Sequence, residues 1–196
     1  MEASVGRSED VLETGTRADG PDTESRVTVR VNGASHTVEI DHRTTLLELL
    51  RENVGLTGSK KGCDHGQCGA CTVLLEGRRV NSCLLLAVAQ EGYEIVTVEG
   101  LIEAAGADGD LHPLQRAFLD REAFQCGDCA PGQLCSAVGM LAEAKSGQPS
   151  VVTETDLPTD APVRLTTEEI RERLSGNPCH CGAYSSIVNA VQDVIA

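Results

Sequence analysis

Gly62-Cys63-Asp64-His65-Gly66-Gln67-Cys68-Gly69-Ala70-Cys71 places three cysteines in the spacing Cys-x4-Cys-x2-Cys, and Cys83 follows after eleven more residues. Three thiolates from one tight loop and a fourth from beyond it is the ligand pattern of a plant-type [2Fe–2S] cluster. Such a cluster with four thiolates carries a net charge of about −2 oxidised and about −3 reduced. The anion has to be cradled by backbone N–H groups, with main chain pressed close to the sulfurs. Gly62, Gly66 and Gly69 permit that approach and allow positive φ where the loop folds back. Lys60 and Lys61, just upstream, add positive charge. Four thiolates also suit a tetrahedral zinc ion. Paired knuckles are the usual zinc spacing, however, and this triad is not one.

On either side of the loop the pattern is that of strands. Arg26-Val27-Thr28-Val29-Arg30-Val31 alternates at period two, Asn32-Gly33 supplies a hairpin turn, and His36-Thr37-Val38-Glu39-Ile40 continues it. Thr45 opens a short helix through Leu46, Leu49 and Leu50 that ends near Gly55. Beyond the cysteines, Thr72 to Leu75, a Glu76-Gly77 turn and Arg78 to Val80 form a second hairpin, and Glu94 to Val98 a further strand. Hairpin, helix, ligand loop and hairpin predict a compact ferredoxin-like, β-grasp α+β domain over residues 26–100.

From Leu101 the apolar period becomes helical. Leu114, Ala117 and Phe118 mark one helix. Pro131 to Ala144 marks a second, with Leu134, Val138 and Leu141 on one face. Thr166-x-x-Glu169 has the form of a capping box opening a third, through Ile170 and Leu174. Ile187, Val191 and Val194 stripe the last. Residues 145–164, rich in Pro, Ser, Thr and Asp, read as a surface loop. The pattern predicts an all-α four-helix bundle domain over residues 101–196. This half holds a second quartet, Cys126-x2-Cys129 and Cys179-x-Cys181, each pair just ahead of a helix. Free N–H groups and the positive end of the helix dipole stabilise an anion there. Each pair alone is a weak signal; together, beside the first quartet, they predict a second [2Fe–2S] site. Cys135, the ninth cysteine, lies next to Leu134 on the second helix and reads as a small buried residue. The histidines form no ligand pattern, although His65 and His180 lie beside cluster cysteines.

Composition narrows the partners. The chain has 196 residues, with 16 Lys and Arg against 30 Asp and Glu, a net charge of −14. That balance disfavours nucleic acid and anionic membrane surfaces. Residues 1–25 are acidic and nearly devoid of apolar side chains, and predict a disordered acidic tail without the apolar core of a secretory signal. The sequence therefore points to a cytoplasmic protein, where clustered cysteines more often bind metal or do redox work than form disulfides.

Three stretches resemble the iron–sulfur subunit of the molybdenum hydroxylases, the xanthine dehydrogenase/aldehyde oxidoreductase family. They are Gly62 to Val73, Gln125-Cys126-Gly127-Asp128-Cys129-Ala130-Pro131-Gly132-Gln133, and Gly176-Asn177-Pro178-Cys179-His180-Cys181-Gly182-Ala183-Tyr184. The resemblance covers about residues 26–196, and the Gln133 to Val138 stretch leans towards the bacterial three-subunit aldehyde dehydrogenases. It implies two [2Fe–2S] clusters held by Cys63, Cys68, Cys71 and Cys83, and by Cys126, Cys129, Cys179 and Cys181. It also implies a large partner subunit with molybdopterin and a medium one with FAD, with electrons running from molybdenum through the second cluster and then the plant-type cluster to FAD. By position, Gln125 and Cys181 would sit against the pterin. Asp128, Ala130, Pro178 and His180 depart from the residues usual in the family, all near the second site. A xanthine or N-heterocycle dehydrogenase subunit and a free-standing ferredoxin-type carrier are the alternative functions.

Overall fold

The computed structural model describes residues 23–102, 111–154, 158 and 161–196. Five strands, β1 (Glu24–Val31), β2 (Ala34–Asp41), β3 (Thr72–Leu75), β4 (Arg78–Asn81) and β5 (Glu94–Val96), form one mixed sheet in the order β2-β1-β5-β3-β4. β1 runs parallel to β5, and the other neighbours are antiparallel. Both hairpins turn where the sequence places them, with φ of 51° and 78° at Asn32 and Gly33 and of 49° and 76° at Glu76 and Gly77. Positive φ at both central residues matches the right-handed twist of the flanking strands. β1 begins at Glu24, two residues before the expected start; the rest of the predicted acidic tail lies outside the described residues apart from Thr23.

Thr45 caps α1 (Leu46–Glu48) in a full capping box, its hydroxyl accepting from the Glu48 N–H while the Glu48 carboxylate accepts from the Thr45 N–H. The helix widens into one π-turn, Leu49–Asn53. Leu46, Leu49 and Leu50 pack with Val27, Val29, Val31, Val73 and Ile95 into one core. The strand expected to reach Val98 stops at Val96, and a 3-10 turn, Val98–Leu101, leads out of the sheet.

Four longer helices follow: α2 (Pro113–Asp120), α3 (Ala130–Lys145), α4 (Thr167–Arg173) and α5 (Tyr184–Ile195). Leu114, Phe118, Leu134, Met140, Ile170, Ile187 and Val191 are among the residues of their shared core. Because side chains alternate along a strand, Val73 points into the first core and Leu74 into the helical one. The sheet thus separates two apolar clusters, an α+β arrangement in which α3 lies against β3 and β4.

Two local expectations change. α3 does not bury one stripe: Gly132, Gln133, Cys135, Ser136, Ala137 and Gly139 are all buried, whereas Val138 and Leu141 are half-buried. The helix is wedged between sheet and neighbouring helices, so small and polar faces go inward as well. Thr166 caps α4 through the Glu169 N–H, but the box is not reciprocal. The Glu169 carboxylate instead accepts from Ser150, Thr153 and Arg173. Those bonds tie part of the 145–164 loop down, and Val163 is buried.

Candidate metal centres

The β3–β4 hairpin builds the first site. Thr72 pairs with Asn81, so Cys71, just before β3, and Cys83, in the 3-10 turn Ser82–Leu84 after β4, come together and are buried with Leu47. The Ser82 hydroxyl donates to the Cys71 carbonyl at 2.7 Å and fixes that approach. Cys63 and Cys68 come from the loop ahead of β3. Cys63 Sγ accepts from the N–H groups of Gln67 at 3.2 Å, Cys68 at 3.4 Å and His65 at 3.5 Å, while Cys68 Sγ accepts from the Cys63 N–H at 3.4 Å. A Cβ on Gly62 would lie 2.8 Å from Cys68 Sγ, so only glycine lets the main chain pass so close. Gly66 and Gly69 adopt φ of 80° and 64°.

The thiols feel this environment in opposite senses. The His65 N–H, joined by those of Cys68 and Gln67 and by the Cys68 thiol, brings Cys63 down to about 6, against the opposing effect of burial. Burial pushes Cys83 up to about 11, with the neighbouring Cys71 thiol adding to the rise. The two lysines do less than the sequence suggests. Lys61 is paired with Glu48 and Asp64, and Lys60 donates to the carbonyls of Thr57 and Gly58. The backbone N–H groups are the principal donors to the sulfurs.

The second site joins two loops at helix starts. Cys129 is the N-cap of α3, and Cys126 is exposed ahead of it. Cys179 and Cys181 precede α5, whose N-cap is Ala183. The Ala183 N–H donates to Cys179 Sγ at 3.4 Å, and the Cys179 N–H donates to Tyr184 Oη at 2.7 Å. Burial raises the Cys179 thiol, but the Ala183 N–H, the Cys129 thiol and the N–H groups of Cys181 and Gly182 outweigh it and hold Cys179 below the usual range. Burial, with the Cys179 thiol against it, pushes Cys129 up to about 12. The Asp128 N–H lowers Cys126, yet the Cys181 thiol, burial and the Asp128 carboxylate together leave it raised.

Within each quartet the Cys63 thiol meets Cys68, Cys83 meets Cys71, Cys126 meets Cys181 and Cys129 meets Cys179, and the pairs adjoin, Cys63 acting on Cys83 and Cys126 on Cys129. Among the described residues no three Cys, His, Asp or Glu side chains converge as ligands of a single ion do. Gln125, exposed, donates its amide to the Cys181 carbonyl at 3.2 Å. Of the departures, Asp128 and His180 are exposed, and Ala130 and Pro178 are half-buried. Cys135 is fully buried in the helical core, and burial lifts its thiol to about 12.

Three residues that sequence reasoning left unassigned join the two sites. Asn177 Nδ2 donates to the Gly69 carbonyl at 2.9 Å and to Thr72 Oγ1 at 3.1 Å, and its Oδ1 accepts from Ser136 at 2.6 Å. The Gln133 amide donates to the Asn177 carbonyl. A Cβ on Gly132 would lie 2.2 Å from the Gly69 oxygen. Both Asn177 and Gly132 sit inside the quoted motifs, but nothing in their identity signals a buried contact.

Residues 29–96 match the family of the 2Fe-2S iron-sulfur cluster binding domain and residues 97–192 that of the [2Fe-2S] binding domain, which defines a tandem two-domain iron–sulfur protein. The chain is 56% identical over 167 residues to the aldehyde oxidoreductase iron-sulfur-binding subunit PaoA of Escherichia coli K12, covering 85% of this chain and 70% of that one. It is 44% identical to the nicotine 6-hydroxylase small subunit of Paenarthrobacter nicotinovorans, covering 88% and 91% of the two chains. It is 42% identical to the xanthine dehydrogenase iron-sulfur-binding subunit of Escherichia coli O157:H7, covering 83% and 89%. A chain in the crystal structure of quinoline 2-oxidoreductase from Pseudomonas putida 86 superposes with a TM-score of 0.71 at 38% identity, over 87% of this chain and 92% of that one. The chain belongs to the iron–sulfur subunits of the molybdenum hydroxylase family. In the aldehyde oxidoreductase of Desulfovibrio desulfuricans the same fold, at TM-score 0.68 and 35% identity over 86% of this chain, occupies 16% of a longer chain.

Proposed function

We propose that the chain holds two [2Fe–2S] clusters and relays electrons from a molybdopterin-bearing subunit to an FAD-bearing one in an aldehyde dehydrogenase. The gathering of each cysteine quartet at one place, in halves that both match [2Fe-2S] binding domains, carries this reading. A binuclear cluster takes two thiolates per iron. Cys63 with Cys68 and Cys71 with Cys83 would hold the plant-type cluster. Cys126 with Cys181 and Cys129 with Cys179 would hold the second.

When bound, the clusters accept and release single electrons. The chain's own groups set the conditions for that. N–H groups of His65, Gln67 and Cys68 stabilise thiolate at Cys63, and those before α5 do so at Cys179. Gly62 keeps the main chain against Cys68 Sγ. Gln125 and Cys181 would face the pterin of the large subunit, supported by their mutual hydrogen bond and by the exposure of Gln125. The second cluster would then stand nearer molybdenum and the plant-type cluster nearer FAD. The fold's small share of the longer Desulfovibrio chain supports partners that supply the rest of the enzyme, and argues against a free-standing ferredoxin.

An aldehyde is the favoured substrate because identity is 56% to an aldehyde oxidoreductase subunit, against 44% and 42% to the nicotine and xanthine relatives. Those two relatives support hydroxylation of an N-heterocycle as the second reading. We take residues 26–100 and 101–196 as the two domains, the latter a four-helix bundle. Cluster assembly calls for reduced thiols, which supports a cytoplasmic setting.

Metal and sulfide analysis tests the proposal. Two clusters require about four iron and about four acid-labile sulfides per chain, with two distinct EPR signals on reduction. Zinc, or half that iron, would sink it. In the complete complex, loss of the plant-type cluster through Cys68→Ser should block flavin reduction by an aldehyde yet leave molybdenum reducible in a single turnover.

A further inference from the structure

The ligand loops of the two sites meet at a buried junction of three backbones. Gly69 follows Cys68 and precedes Cys71 by two residues. Gly132 lies three residues past Cys129, and Asn177 two before Cys179. A Cβ at Gly69, where φ is already 64°, would lie 2.4 Å from the Gly176 carbonyl and 2.5 Å from Asn177 Nδ2. Asn177 itself is buried, 5% exposed, and its side chain is held at both ends. Its amide nitrogen donates to the Gly69 carbonyl and Thr72 Oγ1, and its oxygen accepts from Ser136. Thr72 Oγ1 in turn donates to the Gly69 carbonyl at 2.6 Å, closing a ring of bonds around the amide.

The halves of the chain have a separate fastening. Arg79 donates twice to Glu143, at 2.8 and 2.6 Å, and once to the Arg173 carbonyl at 2.6 Å. Those residues lie on β4, α3 and α4 and not in the ligand loops, although Arg79 stands four residues before Cys83. Asn177, by contrast, links a loop that carries first-site ligands to one that carries second-site ligands. The Gly69 carbonyl is one peptide from Cys68, and the Asn177 main chain leads through Pro178 to Cys179.

We propose that Asn177 is a positioning residue for electron transfer between the two clusters, its amide fixing the separation of the ligand loops and supplying a hydrogen-bonded route between them. The inference rests on the two-cluster reading above. In the step itself one electron leaves the reduced second cluster and reduces the first, with no bond made or broken and no proton moved. Electron tunnelling weakens as the separation grows, so parting the ligand loops or removing the bonded route between them slows the step.

The test uses the purified full chain with both clusters loaded. A sub-stoichiometric pulse of methyl viologen radical delivers one electron, and its redistribution between clusters is followed by visible absorbance. Midpoint potentials come from EPR-monitored titration. Asn177→Leu, of similar volume, should keep the iron and both potentials but slow redistribution several-fold. Arg79→Ala should lower thermal stability without slowing it. Should Asn177→Leu fail to retain both clusters, Asn177→Asp is measured in the same way, since its carboxylate offers the Gly69 carbonyl no donor. An unchanged rate in the Asn177 variant, or equal slowing in Arg79→Ala, overturns the proposal. Wild-type protein without two iron–sulfur signals overturns instead the two-cluster reading.

Discussion

Gly132→Ala decides between two opposed forces. Gly132 lies inside α3, where alanine is favoured over glycine by about 1 kcal/mol. Helix propensity alone therefore predicts a more stable protein. The structure predicts the reverse, because the added Cβ would stand 2.2 Å from the Gly69 oxygen and 3.1 Å from the Ala70 Cα. These are backbone atoms in a loop bonded on both sides, so no side-chain rotation relieves the clash. Ordinary C···O contact begins near 3.3 Å, so α3 and the loop must part by about 1 Å. Overpacking of that kind costs about 1–3 kcal/mol. The parting also stretches the bond from Asn177 to Gly69, and a buried polar group left without a partner costs about 1–3 kcal/mol. Set against the gain in propensity, the net loss is about 3 kcal/mol. For a chain of this size that lowers the melting temperature by about 6–12 °C. Differential scanning calorimetry of the cluster-loaded chain measures it directly. A melting temperature equal to or above wild type would refute the close approach of α3 to the first ligand loop.

Three other outcomes follow from the same structure. Cys135→Ser should retain all iron, at a cost of about 1–3 kcal/mol for a hydroxyl in an apolar core, while Cys129→Ser should lose the second cluster; iron analysis and denaturant titration separate the two. Asp128→Asn removes an exposed carboxylate that acts on Cys126, so the second cluster's midpoint should rise, by up to about 59 mV at low salt and by less as salt screens the charge; no rise in an EPR titration at low salt would show that the carboxylate does not reach the cluster. Burial raises the Glu169 carboxyl, but hydrogen bonds from Thr153, Arg173 and Ser150 outweigh it and hold it below the usual range. A depressed carboxyl contributes stability above its unfolded value and loses it as pH falls through the folded one. Glu169→Gln should therefore flatten the fall in denaturation midpoint between neutral pH and the acid range, and an unaltered profile would refute that role.

What could be read from the sequence was whatever depends on neighbours along the chain. Asn32-Gly33 and Glu76-Gly77 announce their hairpins because positive φ at two successive residues is a local demand. The cysteine loop is legible for the same reason: three ligands and the glycines that let their backbone fold back lie within ten residues. The extent of α3 is legible but its burial is not, because its inward faces carry Gly132, Gln133, Ser136 and Gly139, which an apolar period does not register. They are inside because a sheet and helices press on the same helix from different sides. Thr166 and Glu169 spell a capping box, and the first half of it forms. Its second half fails because a buried Arg173 and two hydroxyls claim the carboxylate, a tertiary competition no four-residue window contains. Lys60 and Lys61 fail likewise: their charges are real, but carbonyls and two carboxylates take them up.

The same distinction explains why the eight clustered cysteines were easier to see than the contacts that arrange them. A thiolate announces its chemistry by its identity, whereas Gly132 and Asn177 acquire theirs only when Gly69 arrives from some sixty or more residues away. The arrangement also concentrates risk. α3 is capped by Cys129, touches the first ligand loop at Gly132 and meets Arg79 at Gly139, where a Cβ would lie 2.2 Å from the arginine's Cγ. One helix and its cap thus carry a second-site thiol, a close approach to the first site and a seat for the Arg79–Glu143 ion pair. A small shift along its axis would disturb all three together. A helix with those duties cannot bury bulky side chains wherever its period invites them, and glycine at two of its contact positions is the physical consequence.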